Sequence, residues 1–210
     1  MSRICPTILA RTPDEFAAQI ELLRPFARRV QVDLADGEFA APATVNLNQI
    51  YCDDEWSVDL HLMFARPSEW TEAVVALKPD LVILHAEAEG DLLALFEHLH
   101  KFGIRVGVAL LPGTSVAPAR ELIEIADYVL IFGGHLGYQG GSADLTQLEK
   151  VAQIKKINPR TEIGWDGGAN AGNVAEIAAA GIDVINVGSA IIEAKNPAET
   201  YQKLQAAVKD

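Results

Sequence analysis

Eight short β-rich runs recur along this chain with helical stretches between them, and that alternation is the strongest limit on what it can fold into. The runs are 4–9, 29–34, 57–62, 81–85, 105–110, 128–132, 161–165 and 183–187. Several are nearly continuous apolar segments, such as Leu81-Val82-Ile83-Leu84. That is the pattern of a parallel strand covered by helices rather than wetted on one face. Strands that alternate with helices pair in parallel through right-handed crossovers. Eight such units in 210 residues predict a closed (β/α)8 barrel, a TIM barrel, with residues 1–210 as one domain. An open doubly wound sheet is the competing arrangement and fits eight units less well.

The stretches between the runs carry helix signals. Thr12, Pro13 and Glu15 supply an N-cap, a first-turn proline and a capping-box glutamate, and Asn196, Pro197 and Glu199 repeat the arrangement before the last helix. Leu92, Leu95, Phe96 and Leu99 form one apolar stripe ahead of Gly103, and Val174, Ile177 and Ala178 do the same ahead of Gly181.

Composition bounds the function classes. Hydrophobic residues make up 50% of the chain and charged residues 22%, as in an ordinary globular protein. No apolar run approaches the roughly 20 residues of a membrane helix, and the opening MSRICPTILA lacks a signal-peptide pattern. Cys5 and Cys52 are isolated, without metal or redox spacing, and read as plain thiols of a reducing compartment, so a cytoplasmic protein is expected. A net charge of −12 argues against nucleic acid and anionic membrane as partners. An anionic ligand would have to be attracted locally, by backbone N–H groups and helix N-termini.

In a barrel, polar residues at the C-terminal ends of strands are where chemistry is found. The second run ends Gln31-Val32-Asp33-Leu34-Ala35-Asp36-Gly37, and strand alternation points Gln31 and Asp33 to one side. An acid among apolar residues is costly unless paired or metal-bound, so Asp33 is either a hydrogen-bonded core carboxylate or a functional one. Asp36-Gly37 reads as a turn with Asp36 bonding the backbone. The third run places Asp59 and His61 on one face, with His61 at the barrel height of Asp33. The seventh leads into Asp166-Gly167-Gly168 and the eighth into Gly188-Ser189, and glycines after these two strands suit a phosphate site. Either glycine group alone could be an ordinary strand-to-helix turn. The segment 133–142, rich in glycine, could form a loop that closes over a ligand or a simple connector. Gly113 and Thr114 add to the rim, His85 is a weaker site candidate, and His98 and His100 read as surface residues. Nucleotide-binding glycine motifs and hydrolase elbows do not occur in the sequence.

Taken in order, Cys5-Pro6-Thr7-Ile8-Leu9, Val32-Asp33-Leu34-Ala35-Asp36-Gly37-Glu38-Phe39, His61-Leu62-Met63, the stretch from Gly107 to Thr114, Asp166-Gly167-Gly168 and Gly188-Ser189-Ala190 resemble the ribulose-phosphate 3-epimerase family. The resemblance runs nearly end to end and implies a barrel of the ribulose-phosphate-binding type. It also implies a divalent metal (zinc, iron, manganese or magnesium) held by two histidines and two aspartates, the aspartates doubling as acid and base. On this chain Asp33 and Asp166 would be the catalytic pair and metal ligands, and His61 a third ligand. Phosphate and substrate would sit against Thr7, His61, Gly137, Gly140, Gly167, Gly168, Gly188 and Ser189. The implied partner is a small phosphorylated sugar, and family analogy implies a homo-oligomer.

Some positions depart from the family. Gln31 stands where a histidine ligand is expected, and a neutral amide oxygen serves zinc or iron less well than imidazole and suits harder ions. Thr7 replaces serine, Ala35 and Phe132 replace methionines of the site walls, His135-Leu136 replace Asn-Pro, and 137–141 differ from Gly-Phe-Gly-Gly-Gln. The expected activity is interconversion of D-ribulose 5-phosphate and D-xylulose 5-phosphate by proton transfer through an enediolate. A phosphosugar-binding barrel without normal metal chemistry, and another lyase or isomerase of related build, are the alternatives. The related decarboxylases and synthases carry an Asp-x-Lys pair on strand three, where this chain reads Asp59-Leu60-His61.

Overall fold

The computed structural model describes residues 1–52, 55–138 and 140–209. Its strands are β1 (Arg3–Leu9), β2 (Arg29–Ala35), β3 (Ser57–Met63), β4 (Leu81–His85), β5 (Arg105–Leu110), β6 (Tyr128–Phe132), β7 (Glu162–Asp166) and β8 (Val184–Val187). They pair in parallel in chain order, and β8 closes on β1 to complete a barrel. The expected runs match these strands to within one residue at each end. Outside the barrel lie α1 (Pro13–Leu23), α2 (Thr71–Leu77), α3 (Leu92–Lys101), α4 (Arg120–Ile125), α5 (Lys150–Ile157), α6 (Val174–Ala179), α7 (Ser189–Ile192) and α8 (Pro197–Ala207).

Both N-caps form as the sequence implies, but the capping-box glutamates differ from expectation: Glu199 accepts from Asn196 Nδ2 at 3.2 Å while Asn196 Oδ1 takes the Glu199 N–H. Thr12 accepts from the Glu15 N–H, but Glu15 reaches back to the Arg11 N–H rather than to that of Thr12. A larger difference lies between β2 and β3, where segment 36–56 has no α-helix among the described residues, only a 3-10 turn at Leu47–Gln49. Asp36 explains the start of this excursion. Its Oδ1 accepts from the N–H groups of Glu38 and Phe39, and its Oδ2 accepts from Ala65 N–H at 2.6 Å, tying the loop to the end of β3. That is the expected turn, and Gly37 completes it at φ 85°.

Two apolar layers hold the barrel. Outward strand residues such as Ile8, Val32, Leu34 and Leu60 pack on the helices, and each fully buried aliphatic side chain contributes roughly 1.5–3 kcal/mol. Inward residues Cys5, Leu81, Ile83, Ala109, Tyr128, Leu130 and Val184 fill the middle of the barrel. Gly164 makes room for Tyr128, since a Cβ there would overlap the phenol oxygen. Beneath this plug Arg29 pairs with Asp59 at 2.8 Å and with both oxygens of Glu162 at 3.0 Å, and Arg105 reaches Glu162 at 3.1 Å. Burial opposes charge on Arg29, but Asp59 and Glu162 outweigh it and hold the guanidinium well above its ordinary pKa. The floor is ionic and the middle apolar, so open space is left to the other end.

Cys5 is buried and Cys52 half-buried, both as free thiols. His98 and His100 lie on the exposed side of α3. No described helix is long and apolar enough to cross a membrane.

Candidate active site

Strand register brings the polar inward residues together. β2 and β3 pair Gln31 with Asp59 and Asp33 with His61, so Asp33 and His61 share one height at the C-terminal end of the barrel. Across the barrel, Asp166 ends β7. The Asp33 carboxylate, His61 Nδ1 and the Asp166 carboxylate offer donor atoms within 4.8 Å of one another. His61 Nδ1 lies 2.9 Å from Asp33 Oδ1 and 3.6 Å from Asp166 Oδ2. The two aspartates from opposite strands therefore face one spot.

One pocket opens above that spot. Thr7, Asp33, His61, Gly137, Gly140, Asp166, Gly167, Gly168, Gly188 and Ser189 all line it, so every residue expected to hold metal, substrate or phosphate reaches it except Gln31. Gly113 and Thr114 line a neighbouring cleft instead, and His85 is buried behind His61. Gln31 is fully buried beneath, and its Nε2 donates to Asp33 Oδ1 at 2.9 Å and to Asp166 Oδ2 at 2.6 Å. Its Oε1 is buried with no hydrogen-bond partner among the described residues. Sequence reasoning missed Asn186, which points inward from β8 and lines the pocket beside Met63 and Tyr138. The available signal was an asparagine alternating with Ile185 and Val187. Phe132 and His135 line the pocket, whereas Ala35 is buried with Ala40 and Met63 under Phe39 and Leu136. Of segment 137–141, Gln139 lies outside the described residues.

The glycines hold the rim by close backbone approach. At Gly167 (φ 114°) a Cβ would overlap the Gly134 amide, and at Gly168 (φ 64°) it would overlap the Ala143 amide, so the loops after β6 and β7 meet without side chains between them. Asn173 Nδ2 donates to Gly168 O at 3.0 Å and fixes this turn. Gly137 (φ 75°) packs against Ala41 O, joining the β6 loop to the β2–β3 loop.

The electrostatics follow from burial and crowding. Burial, then the neighbouring Asp33 carboxylate, push the pKa of Asp166 from 3.8 up to about 7. Burial disfavours charge on His61, but its bond to Asp33 and the fields of both aspartates outweigh this and raise its pKa. Behind His61, His85 ends β4 and is fully buried, with the Phe39 ring packed on it at 4.8 Å between centroids and a 42° tilt. Burial drives its pKa down to about 4, so this ring is neutral.

Two carboxylates and an imidazole nitrogen form a donor set that fits a divalent cation. The Gln31 amide, which now turns its NH2 group to both carboxylates, would have to turn over for its buried oxygen to join them. The excess of oxygen over nitrogen in this set suits hard ions.

A barrel whose strand ends bring two acids and an imidazole under a glycine-lined mouth belongs to the class of phosphosugar-type barrel enzymes by build. The model of the ribulose-phosphate 3 epimerase family matches residues 3–192, and the chain belongs to that family. It is 29% identical to a ribulose-phosphate 3-epimerase of Aquifex aeolicus, over 98% of this chain and 96% of that protein. It is 31% identical to the Treponema pallidum protein of the same name over 78% of each chain. Among solved structures, 3-hexulose-6-phosphate synthase from Salmonella typhimurium superposes with a TM-score of 0.74 at 19% identity, covering 98% of both chains. That likeness speaks to the fold alone.

Proposed function

We propose that this chain is a ketose-phosphate 3-epimerase that interconverts D-ribulose 5-phosphate and D-xylulose 5-phosphate. The observation that carries the reading is the convergence of Asp33 and Asp166 from opposite strands, within 4.8 Å of each other and of His61, under one glycine-lined pocket. Family membership supports an epimerase over a binding barrel without chemistry.

Epimerisation at C3 removes a proton from the carbon beside the ketone on one face and returns one on the other. Two carboxylates do this when one is ionised and the other protonated. Burial and the crowding of Asp33 raise the pKa of Asp166 to about 7, so Asp166 can hold or release a proton near neutral pH, and the two aspartates exchange the roles of acid and base on reversal. Asp33, His61 and Asp166, with Gln31 turned to present its Oε1, would hold a divalent cation (zinc, iron, manganese or magnesium) whose charge stabilises the negative oxygen of the enediolate. Thr7 and Asn186 supply polar contacts at the floor of the pocket. The phosphate sits against Gly167, Gly168, Gly188 and Ser189, where backbone N–H groups offset the chain's overall acidity. The enzyme acts as a single-domain, cytoplasmic protein that associates with further copies of itself.

The test is isotopic. Solvent deuterium should enter C3 of ribulose 5-phosphate during turnover, followed by NMR. An absence of exchange with every ketose phosphate tried would remove the proposal.

A further inference from the structure

We infer that His85 and Glu87 are positioning residues that fix which nitrogen of His61 is free to meet a cation. This rests on the reading of Asp33, His61 and Asp166 as a cation site. His61 Nε2 and His85 Nε2 face each other at 2.9 Å, and both rings are fully buried. Two imidazole nitrogens at that distance share one proton, so one must donate and the other accept. Nothing in the pair itself sets the direction.

The far end of the chain of contacts does. His85 Nδ1 lies 3.5 Å from Glu87 Oε2, within ion-pair distance, and neither atom has a hydrogen-bond partner among the described residues, so each is the other's nearest available polar group. Glu87 Oε1 is already committed to the Leu111 N–H at 3.0 Å, which fixes the carboxylate's orientation. Burial opposes charge on Glu87, but His85, Thr114 and the Leu111 N–H outweigh it and hold the carboxyl ionised. An ionised carboxylate only accepts. His85 therefore keeps its proton on Nδ1, leaves Nε2 bare, and receives a hydrogen bond from His61 Nε2–H. Without a cation His61 Nδ1 holds a proton against Asp33 Oδ1; once a cation displaces that proton, the lone pair left for it is on Nδ1, the nitrogen facing both aspartates. Histidine ligands are commonly oriented by a carboxylate, and here the carboxylate acts through a second imidazole. The Phe39 ring over His85 and the complete burial of both histidines exclude water from the relay.

Glu87→Gln tests the direction. Its amide oxygen still accepts from Leu111 N–H, while its NH2 group now faces His85 Nδ1 as a donor. The relay should reverse: His85 donates from Nε2, His61 accepts there, and His61 Nδ1 retains its proton. In the metal-free protein, 15N shifts should show His85 protonated at Nδ1 in the natural chain and at Nε2 in E87Q. Mn2+ affinity, measured by chelator competition, should fall about 10–100-fold in E87Q. In His85→Gln the amide oxygen accepts from His61 whatever residue 87 is, so adding E87Q to H85Q should cost nothing more. The inference is overturned if His85 carries its proton on Nε2 in the natural chain, if E87Q leaves the tautomer unchanged, or if the E87Q penalty persists in the H85Q background. A natural chain that binds no Mn2+ would sink the cation reading, while the His85 tautomer would still decide the relay.

Discussion

Gln31 Nε2 lies 2.6 Å from Asp166 Oδ2, and the same nitrogen lies 2.9 Å from Asp33 Oδ1. One amide group thus joins two carboxylates that would otherwise repel each other. To serve a cation, the amide must turn its oxygen to the site and surrender both bonds. Imidazole gives up less and is the better ligand for zinc. We expect Gln31→His to tighten Zn2+ binding by about tenfold or more, or roughly 1.4 kcal/mol, relative to Mn2+. Competition titrations of both proteins with each ion would check it. Tight stoichiometric zinc in the natural chain, unchanged in Q31H, would refute it.

The metal-free protein should carry a pH signature from Asp166. Its pKa is about 7 in the folded chain against 3.8 ordinarily, so between these values the folded state holds a proton that the unfolded state has lost. Stability from this group is fully present below pH 4 and is lost as pH rises toward 7, by at most about 1.4 kcal/mol per pH unit. The side chain keeps 14% of its surface open to the pocket, which moderates the slope. Asp166→Asn carries no such proton. Urea unfolding with chelator present should show the natural chain weakening relative to D166N as pH rises from 5 to 7.5. Parallel pH curves for the two proteins would contradict the assignment.

The barrel and most of its mouth were legible in the sequence because strand alternation has a fixed period: once Asp33 is inward, so is Gln31, and the β2–β3 register then sets His61 beside Asp33. What stayed hidden depends on three-dimensional closure. Gln31 faces inward as expected, yet its amide acts as a donor to two carboxylates, one of them 135 positions away. His85 looked marginal because its partners are another histidine and a glutamate across a turn, neither of which makes a motif. Eight repeating units imply a helix between β2 and β3, but the bonds from Asp36 to Glu38, Phe39 and Ala65 turn the chain into a loop whose Phe39 packs on His85.

If the two aspartates serve opposite faces of the substrate, their neutral variants should fail differently. Asp33→Asn and Asp166→Asn should each lower epimerisation by about 10²–10⁴-fold. Each should also retain more C3 proton exchange with one epimer than with the other, and the favoured epimer should differ between the variants. Deuterium incorporation into ribulose 5-phosphate and xylulose 5-phosphate, followed separately, reads this out. Identical residual exchange patterns would argue against a two-face division of labour.

The glycine pair after β7 should resist any side chain. Gly167 has φ 114°, and a Cβ there would overlap the Gly134 backbone across the rim. Gly167→Ala must therefore separate the β6 and β7 loops, moving the backbone proposed to meet the phosphate. A rise in KM of about tenfold or more is expected, since displaced backbone amides lose binding that is shared by ground and transition states. Substrate saturation curves for G167A would reveal it, and an unchanged KM would place the phosphate elsewhere.

Arg29 offers a test of stability without chemistry. It is the only described cation within ion-pair distance of Asp59, whose side chain is 1% exposed, and it also holds Glu162 through two bonds. Arg29→Met strands a buried carboxylate, which costs on the order of 3–5 kcal/mol when the charge cannot escape. Asp59 can escape by taking up a proton, so the deficit should shrink as pH falls and should largely disappear in the Arg29→Met, Asp59→Leu double variant. The floor is separated from the pocket by the Cys5, Tyr128 and Leu130 layer, so kcat and KM per folded molecule should hold. Denaturant midpoints at pH 5 and 8 for the single and double variants, beside steady-state kinetics, decide the matter. A double variant no more stable than R29M would mean that the cost lies in lost packing of the arginine stem rather than in an unpaired charge.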